Sequence, residues 1–188
     1  MNNIYKDAIA QAFVQLCSTR TVKEITVKQI LEECGISRQT FYNHFSDKYD
    51  IMEYVFDRAA SQATAAMFEG KGYLEDAIKE MLYVFQNNKA FYQTVARMQG
   101  QNSFLEFFIQ YTDSFYTQIV ERLLGKEALT REIRYQIRFN ANGVAHMVVD
   151  YMNSGMKDDP EEVAALMVNC IPQDLKDLFA SVHSLNQH

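Results

Sequence analysis

The sequence predicts an all-α protein of about nine helices: a small three-helix unit over residues 1–48, then a larger antiparallel helical domain over 49–188. Three observations lead there. Apolar residues recur at i, i+3, i+4 and i+7 through most of the chain, the period of a helix with one buried face. Turn residues are scarce, with two prolines and seven glycines in 188 residues, whereas sheet proteins need many turns. Hydrophobic residues make up 48% of the chain, enough for a packed core and too many for a disordered polymer.

Each element has its own reason. Residues 4–18 carry Ile4, Ala8, Ile9, Ala12, Phe13, Leu16 and Cys17 at helical spacing, which predicts an amphipathic first helix. The run TRTVKEIT (residues 19–26) breaks that pattern with β-branched residues. Thr26 stands where an N-cap belongs, and Val27, Ile30, Leu31 and Cys34 form the next stripe. Gly35 ends this second helix, because glycine takes the left-handed C′ conformation without strain. Ser37 is set to cap a short third helix, in which Phe41 and Phe45 lie four apart on one face. Ser46 is read as the next cap, with Asp47 favourable in the first turn of a fourth helix running to about Phe68. Five more helices are expected near 73–88, 89–99, 102–125, 127–154 and 161–183. Gly100, Gly125 and Gly155 serve as stops. Pro160 fits a first turn, and Pro172 should kink or split the last helix.

Composition narrows the function classes. The formal charge of −6 lies wholly in residues 51–188, since residues 1–50 carry six basic and six acidic side chains. An acidic chain binds nucleic acid only through a local patch, because neutralising phosphates takes clustered Lys and Arg. Three cysteines (Cys17, Cys34, Cys170) form no CxxC pair, so neither a disulfide framework nor a zinc site is expected, and a reducing, cytoplasmic setting follows. No apolar stretch approaches the ~20 residues that span a bilayer, and the N-terminal residues do not read as a signal peptide. No membrane association, metal or cofactor is expected. The pair His146 and Asp150 sits at i, i+4, but no nucleophile, HExxH pattern or phosphate loop accompanies it, so catalysis is not expected either.

The constellation that points to a function is the two short helices joined through Gly35, with the first helix as the third wall: a helix-turn-helix. Phe41 and Phe45 anchor the inner side of the third helix. Arg38, Gln39, Thr40, Asn43 and His44 are left to reach double-stranded DNA, where amides and hydroxyls can read base edges. Thr26, Lys28, Tyr42 and Lys48 join them as further DNA-contacting candidates, the last three together with His44 as phosphate holders. Taken singly, Tyr42, His44 and Lys48 are also what any solvated helix end would show.

The run Cys34-Gly35-Ile36-Ser37-Arg38-Gln39-Thr40-Phe41-Tyr42-Asn43-His44-Phe45-Ser46-Asp47-Lys48 resembles the signature of TetR/AcrR-type transcriptional regulators. It matches at Gly35, Ser37, Thr40, Tyr42, His44, Phe45 and Lys48, and departs at Gln39, where the family often has a small residue. The resemblance covers residues 5–60. It implies DNA contacts at Thr40, Tyr42, His44 and Lys48, with Tyr42 and Lys48 chiefly on phosphates. It also implies a homodimer through the last long helices, here near 130–154 and 161–183, on a pseudo-palindromic operator. Most such regulators are repressors released by a small molecule in the C-terminal domain. The segments Asn142–His146, Tyr151–Gly155 and Asp159–Glu162 resemble one C-terminal subfamily. It includes activators of dihydroxyacetone kinase operons, in which a partner protein carries the signal.

The C-terminal part is rich in aromatic and methionine side chains, which form either core or the walls of an effector pocket. Phe85, Tyr92, Arg97, Phe108, Tyr111, Phe115, Phe139, Asn142 and His146 are the pocket candidates. The expected partners are thus DNA, a second copy, and a small-molecule effector or a protein partner. A helical enzyme or carrier reusing the fold is the remaining alternative.

Overall fold

The computed structural model describes residues 4–69, 71–100 and 102–185, with side chains described to Phe179. The described residues form helices and connecting turns, with no strand. The first unit is built from α1 (Ile4–Leu16), α2 (Val27–Cys34) and α3 (Arg38–Tyr42), which pack on one another. The long α4 (Lys48–Phe68) leads out of it and packs on α1 at one end and on α5 (Leu74–Asn87) and α7 (Phe104–Leu124) further along. Between those two lies α6 (Lys89–Ala96). A 3-10 turn (Lys126–Ala128) joins α7 to α8 (Arg131–Ser154), its main neighbour. The chain closes with α9 (Pro160–Asn169) against α5 and α10 (Gln173–Leu185) against α7 and α8.

The caps explain the boundaries. Thr26 and Gln29 form a reciprocal capping box at the start of α2, and Gly35 closes the helix at φ 67°, its N–H donating to the Leu31 carbonyl. Ser37 accepts from the Thr40 N–H at 3.1 Å to open α3. Pro160 occupies the first turn of α9. Pro172 splits the expected last helix into α9 and α10, making ten α-helices among the described residues. The expected cap at Ser46 is corrected to Asp47, whose carboxylate accepts from Tyr49 N–H (2.7 Å) and Asp50 N–H (3.1 Å). An ionised acceptor one residue nearer the helix suits the exposed amides and the dipole better than a hydroxyl.

One hydrophobic core runs through the small unit into the larger one. Phe13 of α1 meets Phe91 of α6 edge-on at 6.1 Å, and the Thr94 hydroxyl donates to the Cys17 carbonyl at 3.0 Å. Asp7 of α1 accepts from the Tyr54 hydroxyl and pairs with Arg58, both on α4. Phe56 of α4 is surrounded by Phe85, Phe104, Phe107, Phe108 and Tyr111, with ring centroids 4.7–6.3 Å away. The three-helix unit is therefore seated on a rigid aromatic base rather than tethered by a linker.

Candidate nucleic-acid interface

The site is a five-residue helix held from below. Phe41 is fully buried and Phe45 nearly so. After Tyr42 the turn continues, with the N–H groups of His44 and Phe45 both donating to the Phe41 carbonyl at 2.9 Å. That keeps Phe45 on the inner side although α3 ends earlier than its spacing suggested. On the outer side Arg38, Gln39, Tyr42 and Asn43 are exposed. The Arg38 guanidinium lies over the Tyr42 ring at 5.7 Å, so this cation and this aromatic present one surface. None of the described residues covers that row.

The other sequence candidates are more occupied. Thr40 is half-buried, and its hydroxyl is 2.9 Å from that of Ser37. The Thr26 hydroxyl is engaged in the capping box. Lys28 is exposed and pairs loosely with Glu32 at 3.7 Å. His44 is half-buried and stacks on Tyr5 of α1, centroids 5.9 Å apart.

Lys48 differs most from its expectation. Its Nζ donates to the carbonyls of Val22 (2.6 Å), Ile25 (2.7 Å) and Lys23 (3.2 Å). An ammonium has three N–H donors, and all three are taken by the segment between α1 and α2. Partial burial is the largest influence on this amine and moves its pKa down. Lys48 is thus a clasp between the foot of α4 and the α1–α2 connection.

The sequence reading missed Tyr5, which is exposed beside His44 at the rim of α3. A signal was present: Tyr5, Ile9 and Phe13 stand four apart, so Tyr5 prolongs the face that α1 turns to its neighbours.

In the larger unit an apolar space of about 70 Å³ lies between α4, α5, α7, α8 and α9. Phe85, Phe108, Tyr111 and Phe115 line it, as do Phe56, Tyr116, Val144, Val148 and Met167, which the sequence reading did not assign to it. Val144 and Val148 stand at i, i+4 on α8, and with Ile133, Ile137, Met147 and Tyr151 they read from the sequence as the stripe of a dimer helix; in the structure Ile133, Ile137, Val148 and Tyr151 are instead buried within the subunit. Burial pushes the hydroxyls of Tyr111 and Tyr116 up to about 12, so both stay neutral and can only act as hydrogen-bonding groups.

The remaining pocket candidates lie elsewhere. Tyr92 is buried against Phe85 at 4.6 Å, outside the wall. Arg97 is exposed at the end of α6. Phe139, Asn142 and His146 are exposed on the outer face of α8. The physical reason is the facing of α8: Ile133, Ile137, Ala141, Ala145 and Val148 turn inward, which sends positions 139, 142 and 146 outward. Asn142 donates to the Arg138 carbonyl and the His146 ring contacts the Asn142 carbonyl, both at 2.8 Å. These two polar groups serve their own helix. Among the described residues no three His, Cys, Asp or Glu side chains come together as a metal site, and no helix is long and apolar enough to cross a membrane.

A fold of this kind, with an exposed three-helix reader on an aromatic helical base, defines a helix-turn-helix regulator. Comparison with known proteins is more specific. The family described as bacterial regulatory proteins, tetR family, matches residues 9–55, and a transcriptional regulator C-terminal region matches residues 73–173. The chain belongs to the TetR family of transcriptional regulators. It is similar to the HTH-type dhaKLM operon transcriptional activator DhaS of Lactococcus lactis subsp. lactis (strain IL1403), 23% identical over 92% of this chain and 91% of the relative. Solved structures of similar fold include a dihydroxyacetone kinase operon activator DhaS, with TM-score 0.64 and 20% identity over 92% of this chain and 96% of that one. Another is a putative TetR-family regulator from Syntrophomonas wolfei str. Goettingen, with TM-score 0.60 and 19% identity over 96% and 97%.

Proposed function

We propose that this regulator binds a pseudo-palindromic operator as a homodimer, each copy laying α3 in a major groove. The observation that carries this is the facing of α3: Phe41 sealed below, and Arg38, Gln39, Tyr42 and Asn43 open above. Gln39 and Asn43 supply amides for base edges, and the Arg38–Tyr42 pair supplies a cation and a hydroxyl for the backbone. Residues 1–48 then act as the reader and 49–188 as the dimerising and sensing part, working in the cytoplasm, without catalysis of its own. Two-fold symmetry of the dimer calls for two half-sites about one DNA turn or somewhat more apart.

The first reading of the input is repression released by a small apolar molecule in the core. Its support is the apolar space bounded by Phe56, Tyr111 and Phe115. At about 70 Å³ it is smaller than the ~300 Å³ at which drug-sized pockets begin. Entry of an effector therefore means displacing side chains, and the effector acts only by its preference for one of two conformers. The second reading is an activator controlled by a protein partner. The activator relative that matches along nearly the whole chain favours it.

Transcription in vitro from a promoter carrying the selected operator separates the two. A fall in transcript on adding the protein, restored by a small aromatic compound that also raises its melting temperature, supports the first. A rise in transcript that needs a second protein supports the second. No change in transcript by either route, with the operator occupied, overturns both.

A further inference from the structure

Between the three-helix unit and its base the described residues leave a groove of about 500 Å³. Ala10 and Val14 of α1 form one wall, Val55 and Ala59 of α4 another, and Val84 of α5 and Phe91 of α6 complete the apolar part. The groove shares no wall residue with the apolar space of the larger unit. Phe91 is also the ring that Phe13 meets edge-on, so the groove runs along the joint between the two parts of the molecule.

Two features define what fits there. The first is Tyr92, which lines the groove and is only 1% exposed. Its hydroxyl makes no hydrogen bond among the described residues, and burial alone acts on its pKa, upward. Nor is it one of the polar atoms sealed from solvent without a partner, which are Gln136 Oε1 and Asn140 Nδ2. The sliver of Tyr92 that stays exposed is therefore its hydroxyl, on the groove. A tyrosine hydroxyl buried this deeply normally has a partner, and a neutral one offers its O–H. The second feature is charge. Asp7 and Arg58 at the rim pair with each other, and Asp7 also accepts from the Tyr54 hydroxyl. The wall holds no other charged side chain, so no charge is left over for an ion.

We propose that this groove binds a small neutral molecule with a flat apolar body and one acceptor atom, which accepts a hydrogen bond from the Tyr92 hydroxyl. The site stands on the fold alone and is independent of the effector space proposed above. Its volume falls in the ~300–1,000 Å³ range of small-molecule sites. Walls from α1, α4, α5 and α6 enclose a compact guest better than they match a flat partner surface. An occupant touches α1 and α4 together, so its binding ties the three-helix unit to the base.

Fluorine NMR titrations of the full-length protein test the site with probes of one outline. These are para-fluoroacetophenone, which carries the acceptor, para-fluoroethylbenzene, which lacks it, and para-fluorobenzoate, which is charged. The ketone should bind with a millimolar dissociation constant, as suits a fragment of its size. The hydrocarbon and the benzoate should bind about fivefold more weakly or less well still, since neither accepts the Tyr92 hydrogen bond as a neutral molecule. Tyr92→Phe should bring the ketone down to the level of the hydrocarbon with no change in helical signal. Ala59→Phe, which fills the groove, should remove both, whereas Phe115→Leu, which alters only the interior space, should change neither. Ketone and hydrocarbon binding alike, or ketone binding undiminished in Tyr92→Phe, overturns the proposal. Binding that is lost in Phe115→Leu and kept in Ala59→Phe places the probe in the interior space, which overturns this site and supports the small-molecule reading above. No saturable binding at ~10 mM ketone overturns the groove as a site and leaves the interior reading standing.

Discussion

Lys48 shows how a single side chain can hold a three-helix unit in shape through backbone carbonyls of its own chain. Its three carbonyl partners belong to Val22, Lys23 and Ile25, just ahead of the capping box that opens α2. Any movement of α4 therefore pulls on the platform beneath α3. Replacing a phosphate-contacting lysine lowers the salt dependence of binding, by ~0.9 in the slope of log K against log salt per phosphate. A clasp behaves differently. Lys48→Met is expected to weaken DNA binding about tenfold or more and to lower the melting temperature by several degrees, as hydrogen bonds to a charged donor are lost. Fluorescence anisotropy titrations over a series of salt concentrations should return the wild-type slope. A slope smaller by ~1.8 per dimer, with an unchanged melting temperature, would give Lys48 back to the phosphates. The spacing of the sequence motif located this lysine, but its partners lie 23–26 residues earlier in the chain, and no local pattern joins residues that far apart.

At the scale of elements, α2 and α3 are legible because their determinants are local. Thr26 and Gln29, Gly35 and Leu31, and Ser37 and Thr40 are each within four residues of one another, and such pairings follow from helix geometry alone. The facing of α8 is not local. That helix carries two apolar stripes, Ile133–Ile137–Val148 inside and Tyr135–Phe139–Met147 outside, and both obey the helical period. Only the presence of α6, α7 and α10 on one side decides between them, so Phe139, Asn142 and His146 read as pocket residues until the neighbours are in place. The turn at Gly35 gives the sharpest test at this scale. Its φ is 67° and a Cβ there would touch nothing, so the cost of Gly35→Ala is purely that of the left-handed backbone, about 1 kcal/mol. Thermal unfolding should show that loss, with Gly35→Asn falling between alanine and wild type because asparagine tolerates this conformation. An alanine variant as stable as wild type would mean that the turn relaxes to another geometry, and with it the angle of α3.

For the whole molecule, a core cluster shared by the three-helix unit and the larger domain makes them parts of one body. The Phe13–Phe91 and Thr94–Cys17 contacts bind the three-helix unit to α6, and Phe56 binds α4 to α5 and α7 around the apolar space. A displacement of Tyr111 or Phe115 by an effector would thus bear on α4, and through Lys48 on the platform of α3. In the proposed homodimer that displacement would change the relation of two copies of α3, and DNA affinity and effector affinity would then alter each other equally. On the proposed operator, the acidic balance of residues 51–188 would keep non-specific binding weak and leave recognition to the small row above Phe41. The measurement that bears most directly on this account is selection of fragmented genomic DNA by the purified protein, followed by footprinting of the enriched fragments. The account predicts a footprint with two symmetric half-sites, and its loss in an Arg38→Ala, Gln39→Ala variant of unchanged helicity and melting temperature. Enrichment that survives in that variant, or a wild-type protein that enriches no sequence, would contradict it.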